Sequence, residues 1–499
     1  MPTEREKSLT AIIKERKSKI AALEKKGINP FLPFPSEILS HPDYLRENFK
    51  KLEGKEFSVA GRMVSFRNHG GLSFANVLYE NSQIQLYIKK DLLKAKARNF
   101  LSYNDLNLLD LGDIVLCRGR LTKTKKGEIS LEAKSLALLS KSLRPQAEKK
   151  VGLKNTETKY RRRYLDLVAN PEVREIFNKK ALFWRATRTF LEKKGFVEVQ
   201  TPILQLIHGG AEATPFKTHH NALDIDMYLR IAPELYLKRL IVGGFNKVYE
   251  IGRVFRNEGI DKEHLQDYTQ MEFYWAYANF NDLLDLIKEL YSTVVFETFG
   301  TYETKRGAKR INWEKSNIKT ADYTKEFKKI TQIDLLNLEP GRLEKELKSY
   351  IKKENLKPGK EKTLNRLIDF IYKNKVRPTF EKPTLVINHP TIISPLSKRD
   401  PNNPKISKRV QLVANGVELC NAFDELNDPL DQKERFLEQV GFQKQGDTEA
   451  MLFDKDYVEA LEYGMPPTVG FGLSERVFSF LIDKPIRDCV FFPIVRPKG

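Results

Sequence analysis

Between residues 55 and 140, apolar and polar positions alternate in five short runs: FSVAGRMVSF, LSFANVLY, SQIQLYIKK, GDIVLCRGRLTK and EISLEAKSLALLS. A period of two puts successive side chains on opposite faces of an extended chain, so each run predicts a half-buried strand. Lys126-Gly127 offers a turn between the last two runs, and a helical stretch is expected near 91–103. Ahead of them, residues 4–27 carry Leu9, Ile12, Ile13, Ile20 and Leu23 near a helical period, with Lys and Arg between. Gly27 ends that helix, and Pro30, Pro33 and Pro35 forbid its continuation. It reads equally as a solvated amphipathic helix and as an auxiliary RNA-contacting arm.

Five strands and one intervening helix match an OB-fold, a barrel whose face and loops bind single-stranded nucleic acid; other small barrels share the pattern. Lys123, Lys125 and Lys126 give it a basic rim. A connection over 141–165 follows, holding Lys141, Arg144, Lys149, Lys150, Lys154 and Arg161-Arg162-Arg163. A long helix then has Asn170 as a cap, Pro171 at its first position and Gly195 at its end. From 195 onward strands and helices mix without a βαβ rhythm. Asn415-Gly416, between QLVA and VELCNAF, predicts a two-residue hairpin. Residues 300–380 are Lys-rich and helical in tone, an insertion with little chemistry. The expected organisation is α+β: a helical extension over 1–54, the barrel over 55–145 and a larger domain over 146–499.

Charge changes the picture. Lys and Arg total 86 against 66 Asp and Glu among 499 residues, a formal charge of +20, which suits a polyanionic partner. Cys117, Cys420 and Cys489 are far apart and form no C-x-x-C pair, against a disulfide framework or a zinc site. Neither a signal-type N-terminus nor a membrane-length apolar run is present. A cytoplasmic protein without membrane contact is expected.

Three blocks carry candidate chemistry: GFVEVQTPIL (195–204), VFRNEGIDKEHLQDYTQMEFYW (254–275) and PPTVGFGLSERVF (466–478). In this order, behind the barrel-like region, they resemble motifs 1, 2 and 3 of class II aminoacyl-tRNA synthetases of the Asp/Asn/Lys subgroup, over nearly the whole chain from about residue 55. No G-x-G-x-x-G or Walker motif competes. The resemblance implies an N-terminal OB barrel that reads the anticodon and a catalytic domain on a six- or seven-stranded antiparallel sheet flanked by helices. Motif 1, including Pro202, implies a homodimer.

An amino acid's carboxylate must attack the α-phosphate of ATP, and fixed guanidinium groups stabilise the charge that builds there. By resemblance Arg256 of FRNE meets the α-phosphate and Arg476 of LSER the γ-phosphate end. Glu258 accepts from the adenine amino group, Tyr268 offers an aromatic face, and His264 reaches phosphate. Mg²⁺ bridges phosphate oxygens and needs one or two protein carboxylates. Glu418 is the candidate ligand. Bacterial lysine enzymes often carry a second Glu seven residues earlier, where this chain has Gln411, so the number of metals stays open. Strand parity sets Glu418 opposite Asn421, so a bulge is required if both line one site. Motif 3 departs as well: GFGLSER stands for the lysine enzymes' GLGIGIDR, one residue shorter, with Glu475 at the Asp position.

Acidic groups should hold the ammonium groups of L-lysine, whereas an aspartate pocket needs Arg or Lys. Glu234 of RIAPELYLKRL, Glu272 and Tyr274 of MEFYWAY, and Asn421, Phe423 and Glu425 of NAFDE supply such a set, with Phe423 along the aliphatic stem and Gly210 nearby. In the barrel, Phe74 is placed to stack on a base of the tRNA(Lys) anticodon. Gln85 and Glu128 would read its edge, and Arg62 would stack or hold phosphate. Three alternatives stand beside this reading: an aspartyl or asparaginyl enzyme, a synthetase-like ligase that modifies a protein, and a non-catalytic RNA-binding relative.

Overall fold

The computed structural model describes residues 8–95, 97–145, 155–259, 264–357, 363–444 and 450–497. Residues 4–7 of the expected first helix, Lys149, Lys150 and Lys154 of the basic connection, and residues 260–263 of the second block lie outside them. The chain divides into two compact units, Met1–Pro171 and Glu172–Gly499.

In the first unit, β1 (Glu56–His69), β2 (Leu72–Tyr79), β3 (Ser82–Lys89), β4 (Ile114–Lys123) and β5 (Ile129–Ser140) close a barrel in the order β1-β2-β3-β5-β4. The alternation explains the closure. Ala75, Val77, Ile84, Leu86 and Ile88 are buried, while their neighbours in sequence are more exposed. Each large aliphatic chain so buried contributes about 1.5–3 kcal/mol.

The helix expected near 91–103 does not form. Asn99 takes φ +73, and the helical turn starts late, at Tyr103–Leu108, where Ser102 and Asp105 cap each other. Leu93, Leu101 and Leu106 still reach the barrel core. Apolar spacing alone could not tell a buried loop from a helix. At the N-terminus the helix Leu9–Lys25 is capped by Ser8 and buries Ile12 and Leu23. Its buried Arg16 donates to the carbonyls of Ser142 and Arg144, so this helix is docked on its own unit.

The second unit is built on a nine-stranded sheet. Its strands run in the order Lys319–Asp322, Thr384–Pro390, Asn403–Ala414, Val417–Asp424, Thr468–Ser474, Asp267–Ala276, Lys247–Phe255 and Val197–Glu198, with Arg399–Asp400 pairing beside Asn403–Ala414. This exceeds the six or seven strands expected, and the two outermost pairings are parallel. The added edge strands have two to four residues, too few to display a period. The helices Pro171–Lys193 and Phe280–Phe299 pack Phe183, Leu191, Leu283, Ile287 and Leu290 onto the sheet at helical spacing. Asn170 caps less than expected: its Nδ2 donates to Asp166.

Two local devices position the site. Asn415 (φ +46) and Gly416 (φ +73) form the expected hairpin, since a type I′ turn needs positive φ at both positions. Just beyond it, Leu412 pairs with Cys420 but Val413 pairs with Glu418, leaving Leu419 as an extra residue. That bulge turns Glu418 and Asn421 toward the same cavity.

The 300–380 segment is less helical than its composition suggests. It opens with the hairpin Glu303–Arg306/Lys309–Asn312 and a strand of the main sheet before its helices begin. Tyr323, Phe327, Leu343, Leu347 and Leu367 give those helices a core, while most of the lysines face water.

Candidate active site

The motif strands and the end of the 300–380 segment enclose a cavity of about 600 Å³. Three groups of side chains meet there.

The first group is cationic and aromatic. Arg256 follows the strand Lys247–Phe255, its Nε donates to the Ile231 carbonyl, and its guanidinium lies 5.6 Å from the Tyr268 ring centre. Glu258 and His264 line the same wall, as does Arg476 at the start of the short helix Arg476–Leu481. Burial raises the Tyr268 hydroxyl above its usual pKa.

The second group is acidic and almost dry. Glu234 begins the helix Glu234–Val242, and Lys238, one turn later and fully buried, bridges two carboxylates: 2.7 Å to Glu234 and 2.5 Å to Glu425. Burial opposes the charge on Lys238, but Glu234 and Glu425 outweigh it and hold its pKa well above the usual value. Tyr274 donates to Glu272 at 3.0 Å and presents its ring 5.8 Å from the Lys238 ammonium. Burial pushes Glu425 up to about 8 against the pull of Lys238; burial together with Glu234 pushes Glu272 to about 8 as well.

Glycine makes this crowding possible. A Cβ on Gly470 would fall 1.9 Å from Glu425 Oε1 and 2.6 Å from Tyr274. A Cβ on Gly210 (φ +80) would fall 2.8 Å from the Glu234 Cβ. Asn421 accepts from Arg409 at 2.8 Å, and that guanidinium lies 5.6 Å from the Phe423 ring centre.

The third group holds oxygen donors. Glu418 faces the cavity with Arg377 at 3.8 Å, and Gln411 is buried with its Oε1 unpartnered. Among the described residues, no three His, Cys, Asp or Glu are grouped to hold a metal ion unaided. One carboxylate and one free amide oxygen fit a hard cation whose remaining ligands are phosphate and water.

Some placements escaped the sequence reading. Arg377, Asn365, Arg366, Asp369 and Lys373 line the cavity, although the 300–380 segment was expected to carry little chemistry. Lys238 carries no distinct signal in the sequence, since an i, i+4 Glu–Lys pair is usually a solvated helix face. Glu475 is fully buried, pairs with Lys180 and receives the Thr269 backbone N–H, so it braces motif 3 instead of lining the cavity. The three Cys residues are all buried, and none forms a disulfide.

On the barrel, Phe74 stacks on Tyr87 at 5.4 Å on the outward face, and Gln85 lies on the same face, accepting from Ser130. Glu128 is exposed at the β4–β5 turn. Arg62 is not beside them. It pairs with Leu78, four residues along β2 from Phe74, and donates to the Gly112 carbonyl; the arginine opposite Phe74 is the exposed Arg67. A bulge between Met63 and Ser65 shifts the pairing by one residue and sets Arg67 opposite Phe74. Tyr87 completes an aromatic pair that the same alternation would have revealed.

Residues 155–496 match the family described as tRNA synthetases class II (D, K and N), and residues 57–139 match the OB-fold nucleic acid binding domain. The chain belongs to the class II tRNA synthetases of that group. Within it, the chain is 42% identical over 504 residues to the lysine–tRNA ligase of Moorella thermoacetica, covering 100% of both chains. It is 42% identical to that of Pelotomaculum thermopropionicum (99% of this chain, 96% of the relative) and 43% identical to that of Thermotoga maritima (97% and 96%).

A pH dependence follows from the acidic group. A carboxyl lifted to about 8 is neutral at lower pH, and only its ionised form attracts an ammonium. The kcat/KM for lysine should therefore rise with pH, by roughly tenfold per unit on the acid side, and level off above about 8. A flat profile between pH 6.5 and 8.5 would show that Glu272 and Glu425 are ionised throughout.

Proposed function

We propose that this chain is a lysine–tRNA ligase. It joins lysine to ATP, forming lysyl-adenylate and pyrophosphate, and then passes the lysyl group to the 3′ end of its tRNA. The observation that carries this reading is the buried set of Glu234, Glu272 and Tyr274 beside Arg256 and Arg476 in one cavity, with Glu425 behind them on the buried Lys238.

Glu234, Glu425 and the Tyr274 oxygen form an anionic end for the ε-ammonium, Phe423 packs along the stem, and Glu272 with Gly210 receives the α-ammonium. An aspartate side chain would meet like charge there. A substrate carboxylate oxygen then forms a bond to the α-phosphorus as the bond to pyrophosphate breaks. Arg256 stabilises the charge on the α-phosphate, and Arg476 holds the γ-phosphate end. Tyr268, Glu258 and His264 orient the nucleotide. Positioning supplies most of the rate, because the substrates bring both nucleophiles. When bound, Mg²⁺ at Glu418, with Gln411 adjacent, would neutralise phosphate charge. In the second step a ribose hydroxyl attacks the lysyl carbonyl and AMP leaves.

Phe74, Tyr87, Gln85 and Arg67, with Glu128 at the turn, form the surface that meets the anticodon. We assign residues 55–145 to that task, 146–499 to catalysis and 1–54 to an extension docked on the barrel. The working form is a cytoplasmic homodimer. Among the described residues, no helix is long and apolar enough to cross a membrane.

Lysine-dependent ATP–pyrophosphate exchange tests the reading. Exchange with lysine and not with aspartate or asparagine is the expected result; exchange with aspartate or asparagine alone would overturn the lysine assignment. Phe74→Ala should leave that exchange unchanged while weakening tRNA binding by about 1–3 kcal/mol, the worth of a base stacked on an aromatic ring. A loss of exchange in that variant would mean that Phe74 serves the barrel's stability.

A further inference from the structure

Arg377 lies beside Glu418, the proposed metal ligand, and it comes from a segment whose sequence promised little chemistry. The helix Leu364–Ile371 widens into a π turn over Tyr372–Val376, and Arg377 begins the 3₁₀ turn that follows. Such π turns are rare and cluster at functional sites, because one extra residue re-aims the side chains that come after it. Here it delivers Arg377 to the cavity wall. Its Nη1 is 3.8 Å from Glu418 Oε2, beyond hydrogen-bond length, and its Nε is buried with no acceptor. A guanidinium has five donors in a planar fork that suits phosphate oxygens. Arg377 is thus close enough to Glu418 to balance its charge while leaving donors unspent.

Charge on this wall sharpens the point. Gln411 is neutral, so Glu418 and Arg377 offset each other, while Lys373 pairs with Asp369 and Arg366 with Glu212 beside them, and this wall carries no net negative charge. Such a wall does not attract a free divalent cation. It does attract a polyphosphate that brings its own.

Resting on the proposed ATP-dependent activity, we infer that Arg377 is a nucleotide-binding residue that changes partner. It neutralises Glu418 while the cavity is empty and turns to the polyphosphate when a divalent cation arrives with ATP and takes Glu418. The consequence is ordered binding, with the metal entering as its ATP complex.

Two measurements on the full chain test this, using wild type, Arg377→Gln and Arg377→Lys, each checked by thermal melting. ATP with Mg²⁺ is titrated calorimetrically, without lysine. Separately, free Mn²⁺ is titrated without nucleotide and followed by its spin-resonance signal. In Arg377→Gln, ATP affinity should fall about tenfold or more, as expected for a lost charged hydrogen bond. Its Mn²⁺ affinity should rise several-fold, because Glu418 has lost its counter-ion, and the lysine KM should change less than twofold. Arg377→Lys should restore part of the ATP affinity. Unchanged ATP affinity, or Mn²⁺ binding no tighter than wild type, would overturn the inference. Wild type that binds Mg·ATP yet shows no lysine-dependent exchange would instead overturn the proposed function and leave Arg377's role to the two titrations.

Discussion

Above about pH 8, where Glu425 is ionised, Glu425→Gln is expected to raise the KM for lysine by about 10²-fold or more while changing kcat of pyrophosphate exchange far less. Glu425 is 1% exposed and shares the buried Lys238 with Glu234. Removing one partner of a buried charged pair costs about 2–5 kcal/mol, and each 1.36 kcal/mol is a factor of ten. The glutamine is nearly isosteric, so the packing against Gly470 survives. What changes is the charge balance. Two carboxylates against Lys238 leave one net negative charge for the incoming ε-ammonium; one carboxylate leaves none. Lys238 would then rest on Glu234 alone, and the substrate would compete with it for that single anion. Steady-state exchange at varied lysine measures the effect. A kcat loss at constant KM would place Glu425 nearer the reacting atoms than the pocket's floor.

Arg256→Ala should lower kcat for exchange by about 10²–10³-fold, the usual loss when one fixed donor to a developing oxyanion is removed. Both ground-state KM values should move less. The guanidinium is anchored by the Ile231 carbonyl and by the Tyr268 face, so it is held in place before ATP arrives. Stability should change little, because Arg256 is only half-buried and, among the described residues, makes no ion pair. The check is exchange kinetics beside thermal melts. An unfolded variant would give no information on the chemistry, and Arg256→Lys then serves: it keeps the charge but loses the fork, and should recover only part of kcat.

Much of this protein was legible from residue pattern. Period-two alternation specified the barrel strands, because a slip of one residue would expose Val77 or Leu86 to water. Asn415-Gly416 specified its hairpin, because few other residue pairs tolerate two positive φ angles. The motif blocks and the acidic residues of the NAFDE and MEFYWAY strands pointed to one pocket before any coordinate was known.

The rest depended on distant parts of the chain meeting. Whether Glu418 and Asn421 share a cavity was decided by the bulge at Leu419, which arises from strand pairing and leaves no mark on composition. Lys238 became part of the acidic pocket only when Glu425, far along the chain, closed on it. Arg67 came to face Phe74 through a one-residue register shift in β1. Arg377 reached Glu418 through a π turn that no local preference announces. Local sequence thus determined which elements form and which of their faces are buried, since propensity and burial act over a few residues. The tertiary structure alone decided which charges face one another, since electrostatic pairing depends on distance in space and not on separation along the chain.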